Sequence, residues 1–212
     1  MWQRARFSKG GHTNKGGGAV HEPVDLFTTQ WRLLGGEVVL ADAAVGWSHT
    51  IEDVLAGVID PAFPTVVGFD TGDWPKDVPW SALCETIGAR FYDRHDLDVL
   101  SRQEALQDIV AHASVGVTGA AWAAADTGTV ALYASAQTSL SASLLPPTHV
   151  VLLPKRRIYA TLAEGLRAVH AQGAVPHLVK LISGPSMTAD IEGQLVVGVH
   201  GPRRVVTVIG DW

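Results

Sequence analysis

The sequence is poor in cysteine and in charged residues, and each shortage excludes a class of protein. Cys84 is the only cysteine among 212 residues, so the chain can form no internal disulfide and cannot supply the four thiolates of an iron–sulfur cluster. Charged residues make up 17%, below the roughly 25% of an average domain, while 47% are hydrophobic. This composition excludes a disordered chain and favours one well-buried domain, with Cys84 as a packing residue on a helix face.

Two further absences concern partners and location. No apolar run approaches the roughly 18 to 20 residues of a membrane span. The net charge is -5, with only a short basic patch at residues 154–157, so a nucleic-acid partner is not expected. The positively charged start has no apolar segment behind it and is not a secretory signal. These features, with the single thiol, predict a cytoplasmic protein.

The start of the chain is rich in glycine and poor in apolar residues, which predicts a flexible tail over residues 1–22. The apolar patterns that follow predict a single α/β domain over residues 23–212. Helical apolar spacing alternates with short apolar runs from Val24 onward, and one helix is predicted over residues 158–169. Strands alternating with helices, several of them apolar on both faces, predict a mainly parallel sheet covered by helices on each side. The predicted strands span residues 37–41, 65–69, 115–118, 129–133, 149–153, 178–182, 195–199 and 205–209.

Three glycine-rich segments follow predicted strands in the second half, at residues 116–130, 183–192 and 198–202. Ligands of open α/β sheets bind beyond the carboxyl ends of strands, so we expect these segments to surround one concave pocket. In the second segment, Ser186 or Thr188 can cap a short helix whose free N–H groups would attract a carboxylate or phosphate. The alternative, which spacing alone favours, is that these side chains only tighten a turn.

Two titratable residues in these segments are candidates for acid or base chemistry. His200 lies between two glycines and can donate to an anion or transfer a proton, although a histidine in a turn more often bonds only to backbone. Asp126 begins a DTG sequence, and Asp70 begins another. Paired carboxylates of this kind occur in aspartic proteases, but the alternating α/β texture argues against that class. The nine histidines show no metal-ligand spacing, and no metal is expected.

Taken together, the segments resemble the lactate utilization protein C family, members of the LUD domain group. The resemblance is strong over residues 110–210. Over residues 24–109 it is limited to the alternation of predicted helices with short apolar runs. Its motifs, in order along the chain, are GVTGA…A.TGT at 116–129, a Leu-Leu-Pro segment at 144–146, SGPS.TADIE at 183–192 and LV.GVHGP at 195–202.

Two positions depart from the family pattern. Asp126 stands where the family usually has Glu, which keeps the charge and shortens its reach. Met187 stands where a basic residue is usual. If that basic residue pairs with a substrate carboxylate, anion binding here is either weaker or supplied by another cation, for which Arg203 is one candidate.

The resemblance implies a fold, a role and a site. The implied fold is a three-layer α/β/α sandwich similar to the NagB/RpiA/CoA transferase-like superfamily. The implied role is in oxidation of L-lactate to pyruvate, with no cofactor in this chain and with iron–sulfur clusters in partner subunits. Two alternatives stay open: a stand-alone enzyme on sugar phosphates or acyl-CoA thioesters, and a non-catalytic metabolite-binding module. The candidate catalytic residues are Asp126 and His200, and the candidate substrate-binding residues are Thr118, Gly119, Thr127, Gly128, Ser183, Gly184, Ser186, Thr188 and Asp190.

Overall fold

The computed structural model describes residues 23–41, 46–98, 100–101, 105–134, 139–171, 176–189 and 195–212. Its helices are α1 (Pro23–Leu33), α2 (Trp47–Val58), α3 (Trp80–Thr86), α4 (Arg94–Asp98) and α5 (Leu162–Ala171), with a π-helical turn at Ala105–Val110 and 3-10 turns at Ser141–Ser143 and Lys155–Arg157. The strands are β1 (Glu37–Leu40), β2 (Thr65–Phe69), β3 (Arg90–Tyr92), β4 (Val115–Gly119), β5 (Trp122–Ala124), β6 (Thr129–Ala134), β7 (Thr148–Pro154), β8 (Ile158–Tyr159), β9 (Leu178–Ile182), β10 (Met187–Ala189), β11 (Leu195–Val197) and β12 (Arg204–Gly210).

The strands form one large parallel sheet and two smaller sheets. The large sheet has six strands in the order β1-β12-β7-β4-β2-β3, and all of its neighbours pair in parallel. A four-stranded sheet has the order β8-β5-β6-β9, in which β6 runs antiparallel to both of its neighbours. β10 and β11 form an antiparallel pair. The predicted mainly parallel α/β architecture is confirmed.

Alternating residues of β7 show how the large sheet is buried on both faces. Val150 and Leu152 pack in a cluster with residues of α2 and α3, whereas Val151 and Leu153 pack in a cluster with residues of α1. Successive side chains of a strand point to opposite faces, so an uninterrupted apolar run is what a doubly covered strand requires. Cys84 lies fully buried in the first cluster, where burial raises the pKa of its thiol to about 12. Its predicted packing role is confirmed.

The small four-stranded sheet joins α1 in covering one face of the large sheet. Val130 and Leu132 of β6 pack in the same cluster as Phe27 and Trp31 of α1. The other face of this sheet carries Trp122, which clusters with residues of α5. The sandwich therefore has a mixed helix-and-sheet layer on that side.

Two local predictions were wrong. Residues 158–159 form β8, paired in parallel with β5, and the helix predicted from residue 158 begins only at Leu162. Residues 187–189 form β10 rather than the start of a short helix, because their backbone pairs with β11. The predicted tail at residues 1–22 lies outside the described residues. No described helix has the length and apolarity needed to span a bilayer.

Candidate functional site

A cavity of about 240 Å³ lies where the turn after β9 meets the turn before β12. The strands β7 and β12 contribute residues near their amino ends, so the cavity is not at the carboxyl edge of the large sheet. Among the described residues, the polar or charged side chains of its lining are those of Ser143, His149, Lys180, Ser183, Ser186 and His200. The rest of the wall is apolar or glycine, and no Asp or Glu of the described chain lines it.

Backbone hydrogen bonds hold the two turns together. The Ser186 amide donates to the Pro202 carbonyl at 3.0 Å, and the Gly198 amide donates to the Ser186 carbonyl at 2.7 Å. Gly184 has a φ of +86°, and a Cβ there would come within 2.4 Å of the Leu34 carbonyl oxygen. A glycine is needed at this position because any side chain would meet both the strained backbone and the end of α1. The turns are therefore a fixed wall of the cavity.

His149, near the start of β7, is the most deeply buried polar group of the wall. It is fully buried, and its Nε2 lies 2.7 Å from Thr118 Oγ1. Its Nδ1 has no hydrogen-bond partner among the described residues. Burial, and after it the positive charge of Lys180, lowers the pKa of His149 to about 3. The imidazole is therefore neutral at physiological pH, and the described residues leave the hydrogen-bonding capacity of its Nδ1 unused.

Lys180 of β9 is the one lysine or arginine of the described chain that lines the cavity. Its Nζ donates to Ser143 O at 2.9 Å and to Ser143 Oγ at 3.0 Å. Burial lowers the pKa of Lys180 to about 8. Since an ammonium group has three N–H donors, one remains for a ligand in the cavity.

The structure brings part of the predicted site together around this cavity. Ser183, Gly184, Ser186 and His200 all line it, as expected for two turns that meet. Thr118 does not line the cavity, but its hydroxyl contacts His149, which does.

The predicted residues from Gly119 to Gly128 have local structural contacts instead. The Gly119 carbonyl accepts a hydrogen bond from Thr71 Oγ1 at 2.8 Å. Asp126 Oδ1 accepts from the Leu162 amide at 2.9 Å and so caps the start of α5. None of these residues lines the cavity, and a catalytic role for Asp126 stays a prediction.

The loop of Asp126, Thr127 and Gly128 nevertheless touches the site from one side. Thr129 Oγ1 lies 2.8 Å from Thr127 Oγ1 and 2.9 Å from Ser183 Oγ. This chain of hydroxyl groups joins the loop to the turn after β9. Of the remaining predictions, Thr188 lies in β10, and Asp190 falls outside the described residues.

Sequence reasoning missed Ser143, His149 and Lys180. The last two lie inside runs assigned as strands, HVVLL and LVKLI, where the apolar pattern dominates. The available signal was the single polar residue within each otherwise apolar run, because a buried polar group needs a reason. Arg203, the cation suggested from the family pattern, does not line the cavity; its side chain packs over Gly198.

A second cavity of about 470 Å³ lies at the carboxyl ends of β2 and β3, the usual position for ligands in α/β sheets. Its acidic residues already have partners: the Asp93 carboxylate accepts from the Asp96 amide, Asp98 pairs with Arg94 at 2.6 Å, and Asp70 accepts a backbone hydrogen bond from Gly72. Its aromatic wall is packed on itself, with the Trp74 and Trp80 rings 4.7 Å apart. The cavity between the two turns, where the buried His149 Nδ1 has no partner among the described residues, is the better candidate.

The fold is that of an α/β domain built around a mainly parallel sheet, and the cavity between the two turns is its candidate site. The model of the LUD domain family matches residues 24–209, and the chain belongs to that family. A crystal structure of a DUF162 family protein from Deinococcus radiodurans has the same fold, with a TM-score of 0.57 and 24% identity, covering 89% of this chain and 96% of that chain.

Curated relatives are named lactate utilization protein C. The protein from Macrococcus caseolyticus is 37% identical over 129 residues, which are 59% of this chain and 55% of that protein. The protein from Bacillus subtilis is 40% identical over 101 residues, which are 46% of this chain and 42% of that protein. The chain thus spans about half the length of the curated relatives it matches.

Proposed function

We propose that this chain takes part in lactate utilization as a subunit that binds L-lactate or pyruvate, with electrons carried by iron–sulfur partner subunits. The names of its relatives support the pathway. The observation that carries the binding role is the cavity between the two turns, with a cation and a neutral imidazole on its wall and no acidic side chain among the described residues.

The size of the cavity suits a small metabolite. Sites for drug-sized ligands typically measure about 300 to 1,000 Å³, and the cavity is smaller, at about 240 Å³. A three-carbon hydroxy or oxo acid needs little space and offers a carboxylate plus one further oxygen. The Ser186 hydroxyl lies on the wall and can donate to such an oxygen, whereas Ser183 Oγ already lies 2.9 Å from Thr129 Oγ1.

The need for partners follows from redox chemistry. Converting lactate to pyruvate removes two electrons, and an acceptor must take them. One buried cysteine cannot hold an iron–sulfur cluster, which requires four ligands. In the proposed system, the iron–sulfur cluster that accepts these electrons therefore lies in another chain.

The first test measures binding and growth. Calorimetric titration of the purified chain with L-lactate and with pyruvate, alone and with an iron–sulfur partner, should give saturable heat for at least one acid. A strain of the source organism that lacks this chain should grow on glucose and fail on L-lactate. Absence of heat under every condition, together with normal growth on lactate, would overturn the proposal.

A matched pair of variants ties growth to the cavity. Ser186 lines the cavity, whereas Ser81 lies exposed on α3. Ser186→Leu should fill part of the cavity and abolish complementation of growth on lactate, while Ser81→Leu should complement fully. Thermal melting of both proteins checks that they are folded. Full complementation by a folded Ser186→Leu protein would place the function elsewhere.

A further inference from the structure

We infer that Lys180 and His149 together form the receptor for the carboxylate group of the ligand, which makes the cavity selective for small monocarboxylates over neutral molecules and phosphate esters. The inference rests on the proposed function for its choice of cavity. It adds the two residues that bind the carboxylate, neither of which sequence reasoning identified.

The positive charge of Lys180 has no acidic partner among the described lining residues. Lys180 is half-buried, and among the described residues its Nζ donates to the Ser143 carbonyl and hydroxyl, which are both uncharged. No carboxylate among the described lining residues balances it. A desolvated ammonium group without a counterion is costly, and an anionic ligand supplies the missing partner.

The Nδ1 atom of His149 is buried and has no hydrogen-bond partner among the described residues. A fully buried polar atom without a partner is uncommon and calls for an explanation. When the Thr118 hydroxyl donates to Nε2, Nδ1 carries the ring proton and can donate it to a ligand oxygen. His149 lines the same cavity as Lys180 and lies close enough for the lysine charge to lower its pKa. The two donors therefore serve one anion.

The charge of the described cavity wall suits a ligand that carries a single negative charge. Lys180 supplies one full positive charge, His149 stays neutral, and His200 is the only other titratable side chain on the described wall. One charge matches a monocarboxylate better than a phosphate ester, which carries nearly two at neutral pH. The small volume excludes bulky acids.

The binding experiment uses the full chain at pH 7 with acetate, propionate, L-lactate, pyruvate and inorganic phosphate, and with lactamide as the uncharged counterpart of lactate. Monocarboxylates should bind at least tenfold more tightly than lactamide and phosphate. Lys180→Met should weaken carboxylate binding at least tenfold. Lys76→Met, at an exposed position, is the matched control and should bind as the unaltered chain does.

The pH profile of the unaltered chain gives an independent readout if Lys180→Met folds poorly. Carboxylate binding needs the ammonium form, so affinity should fall about tenfold per pH unit as the pH rises above about 8. His200→Gln should keep this alkaline fall, because the fall belongs to Lys180. Equal affinity at pH 7 and pH 9.5, or equal binding of lactamide and lactate, would overturn the inference.

The outcomes separate this inference from the proposed function. Binding of acetate and propionate through Lys180 without binding of lactate or pyruvate would support the receptor and contradict the lactate role. Binding of lactate or pyruvate that Lys180→Met and alkaline pH leave unchanged would keep the lactate role and contradict the receptor.

Discussion

Two polar regions of this chain, both rich in Gly, Ser, Thr or Asp, differ in how their hydrogen-bonding groups are used. In the loop of Asp126, Thr127 and Gly128, the carboxylate caps α5, and the hydroxyl groups bond to one another. In the wall of the cavity, His149 Nδ1 has no partner among the described residues, and the oxygens that Lys180 contacts within that part of the chain are uncharged.

The difference separates structural polar groups from candidate ligand-binding groups. A polar group that stabilises the fold already has a partner in the free protein, whereas a binding group is left unpaired at some cost in stability. By this criterion the polar groups of the loop stabilise the fold, and those of the cavity wall are candidates for binding a ligand. Three predictions test this division, and a fourth concerns an ion pair outside both regions; they run from the largest expected effect to the smallest.

Gly128→Ala should produce the largest loss of stability. Gly128 has a φ of +55°, and a Cβ there would come within 2.8 Å of the Trp31 backbone nitrogen. The left-handed backbone alone costs roughly 1–2 kcal/mol for a non-glycine residue, and the clash with α1 brings the expected loss to about 2 to 4 kcal/mol. Urea unfolding measures this loss.

Gly57→Ala is the matched control for that substitution. Gly57 lies in α2 with no atom near its Cβ position, so alanine there should stabilise the protein by about 0.5 to 1 kcal/mol. Equal stability of the two variants would show that the loop does not pack tightly against α1.

The double change Thr118→Val with His149→Leu should weaken carboxylate binding at least tenfold with little loss of stability. Replacing both partners of a buried hydrogen bond by apolar groups is nearly neutral, while His149→Leu alone leaves the Thr118 hydroxyl unpaired at about 1 to 3 kcal/mol. Calorimetry measures the binding, and chemical unfolding compares the single and double variants. Undiminished binding by the double variant would return His149 to a purely structural role.

Asp126→Ala should cost about 1 kcal/mol in stability and leave carboxylate affinity unchanged, because it removes the cap of α5. Asp126→Asn keeps a capping oxygen and should recover most of the stability. Unfolding and calorimetry on the same samples measure both quantities. Loss of binding in a stably folded Asp126→Ala protein would move the loop into the site and support its predicted catalytic role.

The smallest effect is expected at the ion pair of Glu37 and Arg204, which lies outside both regions. Two hydrogen bonds of 2.6 and 2.8 Å join the side chains, and the bond from Arg204 is the main reason that the pKa of Glu37 is lowered. Both side chains are about half exposed, so Glu37→Gln should cost at most about 1 kcal/mol at pH 6.

The pH dependence of this pair has a definite sign. A carboxyl group whose pKa is lowered by folding stabilises the protein above its ordinary pKa, and this stabilisation disappears as the pH falls through the lowered value. The stability difference between the unaltered chain and Glu37→Gln should therefore shrink from pH 6 to pH 3. A difference that grows on acidification would contradict this assignment.

Much of the fold could be predicted because apolar periodicity is a local property. The strands at Thr65–Phe69 and Leu178–Ile182 agree with the prediction at both ends. β5 and β8, with three and two residues, are too short to show a period and exist because they pair with each other. β10 likewise depends on its partner β11, since its own residues also fit a capped turn.

The candidate site divides in the same way. Glycine-rich turns at strand ends were visible as Ser183, Gly184, Ser186 and His200, and all four line the cavity. Asp126 was visible for the same reason, yet its carboxylate is used by α5. Whether a polar side chain is left without a partner depends on the groups that surround it in space, and spacing along the chain does not give that information.

The sequence by itself determined the α/β class, the doubly apolar strands and the two glycine-containing turns at strand ends, because these depend on residues close together in the chain. Only the tertiary structure placed His149 and Lys180, from strands about thirty residues apart, on one wall and left both with unused hydrogen-bonding capacity. Burial then shifts the pKa of each, to about 3 and about 8. Burial is set by the packing of the whole domain, and for that reason the chemistry of this cavity follows from the fold.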